Sequence, residues 1–352
     1  MKILFGGDVH FGASSVVLDP SLKDVISAHR HFCVNLESPI TERPFEAAKE
    51  VTLRNSPAMA GNNLLSLGVT AAIIANNHVL DCGSGGLRDT QASLALIQIP
   101  FVGAGDSRSK AQAPLIVSGP KEKIGLIACC ESSIGGLPAR DSHPGINILD
   151  LDVIVPAIAE LRPQVDRVVV SVHWGLTNYR YPRPTQIGLA KELLGAGADY
   201  IIGHHPHVMQ GMSQLPEGRV FFSLGNLVFA RYFKGNRPVR ISSENTSGTL
   251  VSIELGPDRD HDRIDLYFTR FDQKLGTLSL LHEKQASKRR AVVERLSRPL
   301  RREGYARFYK WIVIRRMVRR LGFWLNPLSW RGFGRGQLAG LRHALRAMRT
   351  GQ

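Results

Sequence analysis

The sequence has few cysteines, no long apolar run and almost no acid in its last fifth. Its four cysteines, Cys33, Cys82, Cys129 and Cys130, include one adjacent pair and no CxxC spacing. That argues against a disulfide framework or a structural zinc site and fits a reducing compartment. No uninterrupted apolar stretch approaches the roughly 20 residues that a membrane-spanning helix needs. The chain opens on Met1-Lys2-Ile3-Leu4-Phe5-Gly6-Gly7, without a basic segment running into an apolar core. A cleaved leader is therefore not expected, and the globular part is expected in the cytoplasm. A P-loop and a GxSxG nucleophile element are both missing, which argues against a P-loop nucleotide site and a serine hydrolase.

Acid is scarce in one place only. Residues 284–352 hold 19 Lys and Arg against 2 acids, whereas residues 1–283 hold 26 against 28. The net charge of +15 thus belongs to the C-terminal fifth. The near-neutral remainder argues against nucleic acid as its substrate. With 352 residues and 43% hydrophobic content, the chain can build one large core or two ordinary ones.

Short aliphatic runs read as buried strands: 2–6, 32–36, 71–75, 124–129, 167–172 and 200–202. Helical patterns lie between them at 89–96, after a tight Gly83-Gly85-Gly86 loop, and at 185–194, stopped by Gly195 and Gly197. Alternating strands and helices predict an α/β fold. The later runs 220–223, 250–255 and 264–271 lack intervening helices. They are expected to form a second, more antiparallel sheet (the α+β element of the fold), packed on the first with helices outside. We place a domain at 1–280 and a basic amphipathic helical tail at 281–352. In that tail Ile314, Met317, Val318, Leu321 and Leu325 follow one helix face, with Arg315, Arg316, Arg319 and Arg320 on the other. A second helix is expected over 336–349, and Phe323, Trp324, Trp330 and Phe333 lie between the two. Such a helix suits an anionic membrane surface, so peripheral attachment at the inner membrane face is expected.

The candidate site residues stand where strands hand over to loops: Asp8 and His10, Glu37, Asn76-Asn77-His78, His173, and His204-His205-Pro206-His207. Alternate residues of an extended segment point the same way, so Asp8 with His10, and His205 with His207, can each reach one cation. Glu37 has two oxygens and could bridge a pair of cations. A polar Asn76-Asn77-His78 closing an aliphatic run is costly unless its groups are satisfied. Asp81, three residues on, could orient His78. Mixed carboxylate, amide and imidazole donors suit two divalent metals, Mn²⁺, Fe or Zn²⁺ before Mg²⁺.

In order, these pieces resemble the calcineurin-like metallophosphoesterases: DxH, a strand-end acid, NH, H and HxH. The stretches 75–83, 103–105, 172–175, 197–210 and 223–229 narrow the resemblance to the capsule-synthesis CapA family, associated with poly-γ-glutamate. It covers roughly residues 1–255. It implies a metallophosphoesterase-like two-sheet sandwich flanked by helices. One metal would be held by Asp8, His10 and His207, the other by Asn77, His173 and His205, with Glu37 bridging. His78 would be the general acid or transition-state stabiliser, oriented by Asp81, while Asn76, His204 and Asn226 would face the substrate, a structural role being the other reading of His204, which points away from His205 and His207, and of Asn226. One departure is Thr177-Asn178-Tyr179, where the family commonly carries an acid before the Tyr. The reading implied is a dinuclear-metal hydrolase of a phosphorylated or polymeric substrate. The alternative is a metal- or polymer-binding assembly factor, and a nucleic-acid phosphodiesterase is less favoured.

Overall fold

The structure, a computed structural model, describes residues 1–324 apart from 235, 236 and 240, and side chains up to 318. The helix expected over 336–349 and the aromatic side chains of Phe323, Trp324, Trp330 and Phe333 lie outside the described residues.

Two sheets pack face to face. The first runs, in spatial order, Val17–Leu18, Thr277–Leu280, Arg263–Asp272, Ser247–Glu254, Lys2–His10, His31–Leu36, Ala71–Ile73 and Phe101–Val102, and Asn226–Phe229 also pairs with Lys2–His10. The second runs Met212–Leu215, Gly218–Phe221, Tyr200–His204, Arg167–His173, Lys123–Cys130 and Leu115–Ser118.

The alternation of strand side chains sorts the core into layers. Ile3, Phe5, Cys33 and Ile73 face Leu126, Val169, Tyr200 and Ile202 between the sheets. Val168, Val170 and Val172 turn outward onto Ile154, Ile158, Leu161 and Leu193. Leu4, Phe32 and Val34 turn outward on the other side, under Leu64, Leu67, Leu87 and Leu94. Strands covered on both faces read as continuous aliphatic runs, which is why these stand out in the sequence.

The two-sheet α/β architecture with outer helices is the one expected, but its partition differs. The sheets are not divided early from late. Strands 123–130, 167–173 and 200–204 share the second sheet with 218–221. Strands 247–254 and 263–272 instead return to the first sheet, where 247–254 pairs antiparallel with 263–272 on one side and with Lys2–Phe5 on the other. The helix expected from Asp89 begins at Gly83, so Gly83, Gly85 and Gly86 form its first turn instead of a loop. The boundary set at 281 falls where a helix, Glu283–Ser297, packs Ala286 and Val293 against Met209 and Phe268. A last helix, Tyr305–Trp324, buries Tyr305, whose hydroxyl donates to the Pro182 carbonyl at 2.6 Å. Among the described residues no helix is long and apolar enough to cross a membrane.

Candidate metal centre

Within each sheet the strands that end at the candidate residues run parallel, and their carboxyl ends meet. Asp8 arrives through a register shift in strand Lys2–His10. That shift depends on Gly7, where a Cβ would lie 1.9 Å from the Gly225 carbonyl oxygen. Glycine allows the close approach, and the Asp8 amide donates to that oxygen at 3.0 Å. On the other sheet His205 and His207 take φ of +92° and +57°. Left-handed backbone at non-glycine residues costs about 1–3 kcal/mol each and persists where surrounding contacts demand it. Asp8 supplies one such contact, accepting from the His205 amide at 3.2 Å.

Asn35 is the hub. Its Nδ2 donates to Asp8 Oδ1 at 2.8 Å and to Glu37 Oε2 at 2.7 Å. Asp8 also meets His204 Nδ1 at 3.1 Å and His207 Nδ1 at 3.1 Å. His173 Nε2 lies 2.9 Å from Asn77 Oδ1, 3.2 Å from His205 Nδ1 and 3.5 Å from Glu37 Oε1. His207 Nε2 lies 3.7 Å from the same Glu37 oxygen. That oxygen is fully buried and has no hydrogen-bond partner among the described residues. A buried carboxylate oxygen without a donor is costly. Imidazole nitrogens, an amide oxygen and a second carboxylate gather around it, which are donors a divalent cation takes. The donor set therefore fits a divalent metal.

Two groups of ligand atoms, each within 4.8 Å of one another, share Glu37: Glu37 with His205 and His207, and Asp8 with Glu37 and His173. This division differs from the one the resemblance implied. His10 stands outside both groups, with its Nδ1 2.8 Å from Ser38 Oγ and its ring against Phe229. Asn76, His204 and Asn226, expected to face the substrate, are 1–2% exposed. Asn76 Nδ2 donates to Asn35 Oδ1 and the Leu36 carbonyl, while its Oδ1 accepts from the His78 and Val79 amides. His204 rests on Asp8. Asn226 Oδ1 lies 2.9 Å from His207 Nδ1, and its amide donates to the Asn245 carbonyl. As placed, these three brace the cluster.

His78 lies at the cluster's edge, 8% exposed, with Nδ1 2.6 Å from Asp81 Oδ2. Asp81 also accepts from the Leu53 amide at 2.8 Å and from Lys49 Nζ at 2.7 Å. Lys49 further donates to the Asn77 carbonyl. Neither Lys49 nor the hub role of Asn35 was assigned from sequence. Lys49 sits in a polar loop with no motif, and an asparagine between two aliphatic residues carries no signature of what its amide will touch. Thr177, where the family commonly carries an acid nearby, sets Oγ1 3.3 Å from His205 Nε2.

Electrostatics follows from burial. Burial raises the Asp8 carboxyl, but hydrogen bonds to His204 and His207 outweigh it and hold it well below the usual range. Burial, with the Asp8 charge adding, pushes Glu37 well above it. Burial lowers His10 and His205 to about 3, with His78 and His207 adding respectively. Burial and the His205 charge lower His173 as well. His10, His173 and His205 are thus neutral at pH 7, as metal ligation requires.

A pH dependence follows for the metal-free chain. The unfolded chain takes up protons at these histidines below about pH 6.5 while the folded chain does not. Stability is therefore fully present above pH 6.5 and falls as the pH drops toward 3, by about 1.4 kcal/mol per unit for each histidine. Glu37, raised, works in the opposite sense but is one group against three. Thermal unfolding in chelator should show a lower midpoint at pH 5 than at pH 7, and an unchanged or higher midpoint would contradict these environments.

The family described as "Bacterial capsule synthesis protein PGA_cap" matches residues 2–231. The chain belongs to that family. Among relatives of this PGA_cap member, the "PGA biosynthesis protein CapA" of Bacillus subtilis (strain 168) is 32% identical over 213 residues, covering 59% of this chain and 55% of that protein. The "Capsule biosynthesis protein CapA" of Bacillus anthracis is 33% identical over 166 residues, covering 46% and 40%. The chain thus spans about half the length of these two CapA proteins or less. A "Probable polyglutamine synthesis accessory protein" of Mycobacterium tuberculosis is 32% identical over 273 residues, covering 71% and 69%. Among solved structures, a 5'-nucleotidase precursor from Thermus thermophilus aligns with TM-score 0.48 at 16% identity, covering 81% of this chain and 55% of that one. At this distance it bears on neither reaction nor substrate.

Proposed function

We propose that this PGA_cap chain is a two-metal hydrolase of phosphate esters that serves the production of a capsule polymer such as poly-γ-glutamate. The observation that carries the metal part is the orphaned Glu37 oxygen, with His173 Nε2 at 3.5 Å and His207 Nε2 at 3.7 Å from it. The family and its capsule-associated relatives support the setting.

Asp8, Glu37, Asn77, His173, His205 and His207 would hold the metals, with Glu37 common to both. Two such cations, when bound, activate water and stabilise the attacking and leaving oxygens of a phosphoryl displacement. Asn35 keeps the Asp8 and Glu37 carboxylates apart and oriented. Asp81, fixed by Lys49 and the Leu53 amide, holds His78 by Nδ1 and leaves Nε2 for proton transfer. Burial lowers His78 despite Asp81, so its Nε2 carries a lone pair at neutral pH in the free chain. An approaching phosphate, negative itself, favours the protonated ring, from which Nε2 can protonate the leaving oxygen.

The test is metal analysis with hydrolysis of p-nitrophenyl phosphate in added Mn²⁺. Turnover is expected, with His78→Ala lowering kcat by about 10²–10⁴-fold at unchanged metal content. A chain that takes up two metals but turns over no panel of phosphate esters would be an assembly factor instead.

A further inference from the structure

Helix Tyr305–Trp324 presents two unlike sides. Tyr305, Phe308 and Tyr309 pack toward the second sheet's helices, and Arg316 lies on this same side. Arg316 sits 4.0 Å over the Tyr179 ring and donates to the Asn178 carbonyl at 3.1 Å. The sequence pattern had placed Arg315 and Arg316 together on the outer polar face. Instead Arg316 is docked, and the opposite side carries Arg307, Lys310, Trp311, Ile314, Arg315 and Val318, all exposed. Their spacing of i, i+3, i+4, i+7, i+8 and i+11 makes one continuous face. Trp311, Ile314 and Val318 are 52%, 48% and 59% exposed and lie along its middle. At 100° per residue Lys310 and Arg315 fall on opposite flanks, and the Arg315 guanidinium lies 5.0 Å over the Trp311 ring.

Single exposed apolar residues are ordinary, but three on consecutive turns of one face are not. An apolar midline with cations on both flanks and a tryptophan is the pattern of a helix lying in a membrane interface. Charge selects the occupant. The helix holds six Arg and Lys and no acid, so a second copy of this face would set cations against cations. An anionic lipid surface meets both features.

We propose that this face docks on anionic lipid headgroups. The docked helix would then separate the headgroups from the 178–182 segment, which runs beside His205, by about one helix diameter, ~10 Å. The surface is independent of what the metal centre cleaves.

Co-sedimentation of the full chain with vesicles tests it. Binding to phosphatidylglycerol–phosphatidylcholine vesicles at low salt is expected, with little binding to pure phosphatidylcholine. The triple variant Arg307→Gln, Lys310→Gln, Arg315→Gln should weaken partitioning by about a hundredfold. The triple variant Trp311→Ser, Ile314→Ser, Val318→Ser should weaken it by at least tenfold. The charge variant touches no packed side chain, so it remains informative if the apolar variant unfolds. Wild-type-like binding by the charge variant would overturn the proposal, leaving the basic stretch beyond 324 as the binder. So would equal binding to neutral vesicles, or a dimer in solution that the apolar variant abolishes.

Discussion

Replacing Glu37 with glutamine should give a folded chain that no longer holds a pair of metals. Glu37 is fully buried, and burial beside Asp8 already drives its carboxyl toward the protonated form in the metal-free chain. A glutamine amide has the same shape and mimics that protonated acid. Its NH₂ would take the place of Glu37 Oε1 beside His173 Nε2 and His207 Nε2. The metal-free thermal midpoint of Glu37→Gln at neutral pH should therefore equal or exceed that of the wild type. Metal content should fall below two per chain, and phosphate-ester turnover should drop on the order of a thousandfold, several kcal/mol of transition-state stabilisation. This combination separates a metal bridge from a structural acid. A merely structural acid would lower the midpoint and spare the metal. Full metal content with full turnover would end the two-metal reading.

Asp262→Ala should be the costliest change far from the site. Asp262 is fully buried in its side chain. Its Oδ2 accepts from Arg167 Nε at 2.7 Å and from the Tyr200 hydroxyl at 2.6 Å. Its Oδ1 accepts from Arg167 Nη2 at 2.8 Å and from the Gly256 amide at 2.7 Å. Arg167 and Tyr200 begin strands of the second sheet, while Asp262 immediately precedes a strand of the first. One carboxylate thus ties the two layers together. Its removal leaves the Tyr200 hydroxyl and the Gly256 amide without this acceptor, and the buried Arg167 guanidinium without its counter-charge, held by the Asp166 and Gly256 carbonyls. Breaking a buried ion pair from one side costs about 3–5 kcal/mol, a fall in thermal midpoint of roughly 4–7 °C at this chain length. Asp265→Asn, in a largely exposed pair with Arg263, serves as the control and should change little. Equal midpoints for the two variants would show that the clamp contributes nothing.

Much of this was readable from the residues because burial on both faces writes a strand as an unbroken aliphatic run. Strands at 2–10, 31–36, 71–73, 123–130, 167–173 and 200–204 announced themselves that way, and the candidate ligands lie at or just past the ends of all but 123–130. The sheet partition was not readable. The pairing of Ile3 with Ile253 joins residues 250 positions apart, and nothing local in either strand names its partner. Helix propensity misled at Gly83-Gly85-Gly86, where packing of the first turn against Pro39, Thr41 and Arg43 overrides glycine's preference for loops. Whether Asn76, His204 and Asn226 brace the cluster or meet substrate was left open by the sequence. A polar residue beside a ligand reads the same whether it turns inward or outward, and only their burial distinguishes the two.

The interleaving of the sheets bears on how the chain is made. Strand Lys2–His10, which delivers Asp8, is bordered on one side by Ser247–Glu254. That partner lies beyond residue 231, where the family match ends. As the chain leaves the ribosome, the amino-terminal strand must wait with an unpaired edge until nearly the whole described length has emerged. Closure of so long a loop makes folding slow, and an open edge invites pairing with other chains. Capture of the proposed metals would therefore come late in the life of this molecule, and a fragment cut at the family boundary is expected to aggregate before it can bind anything.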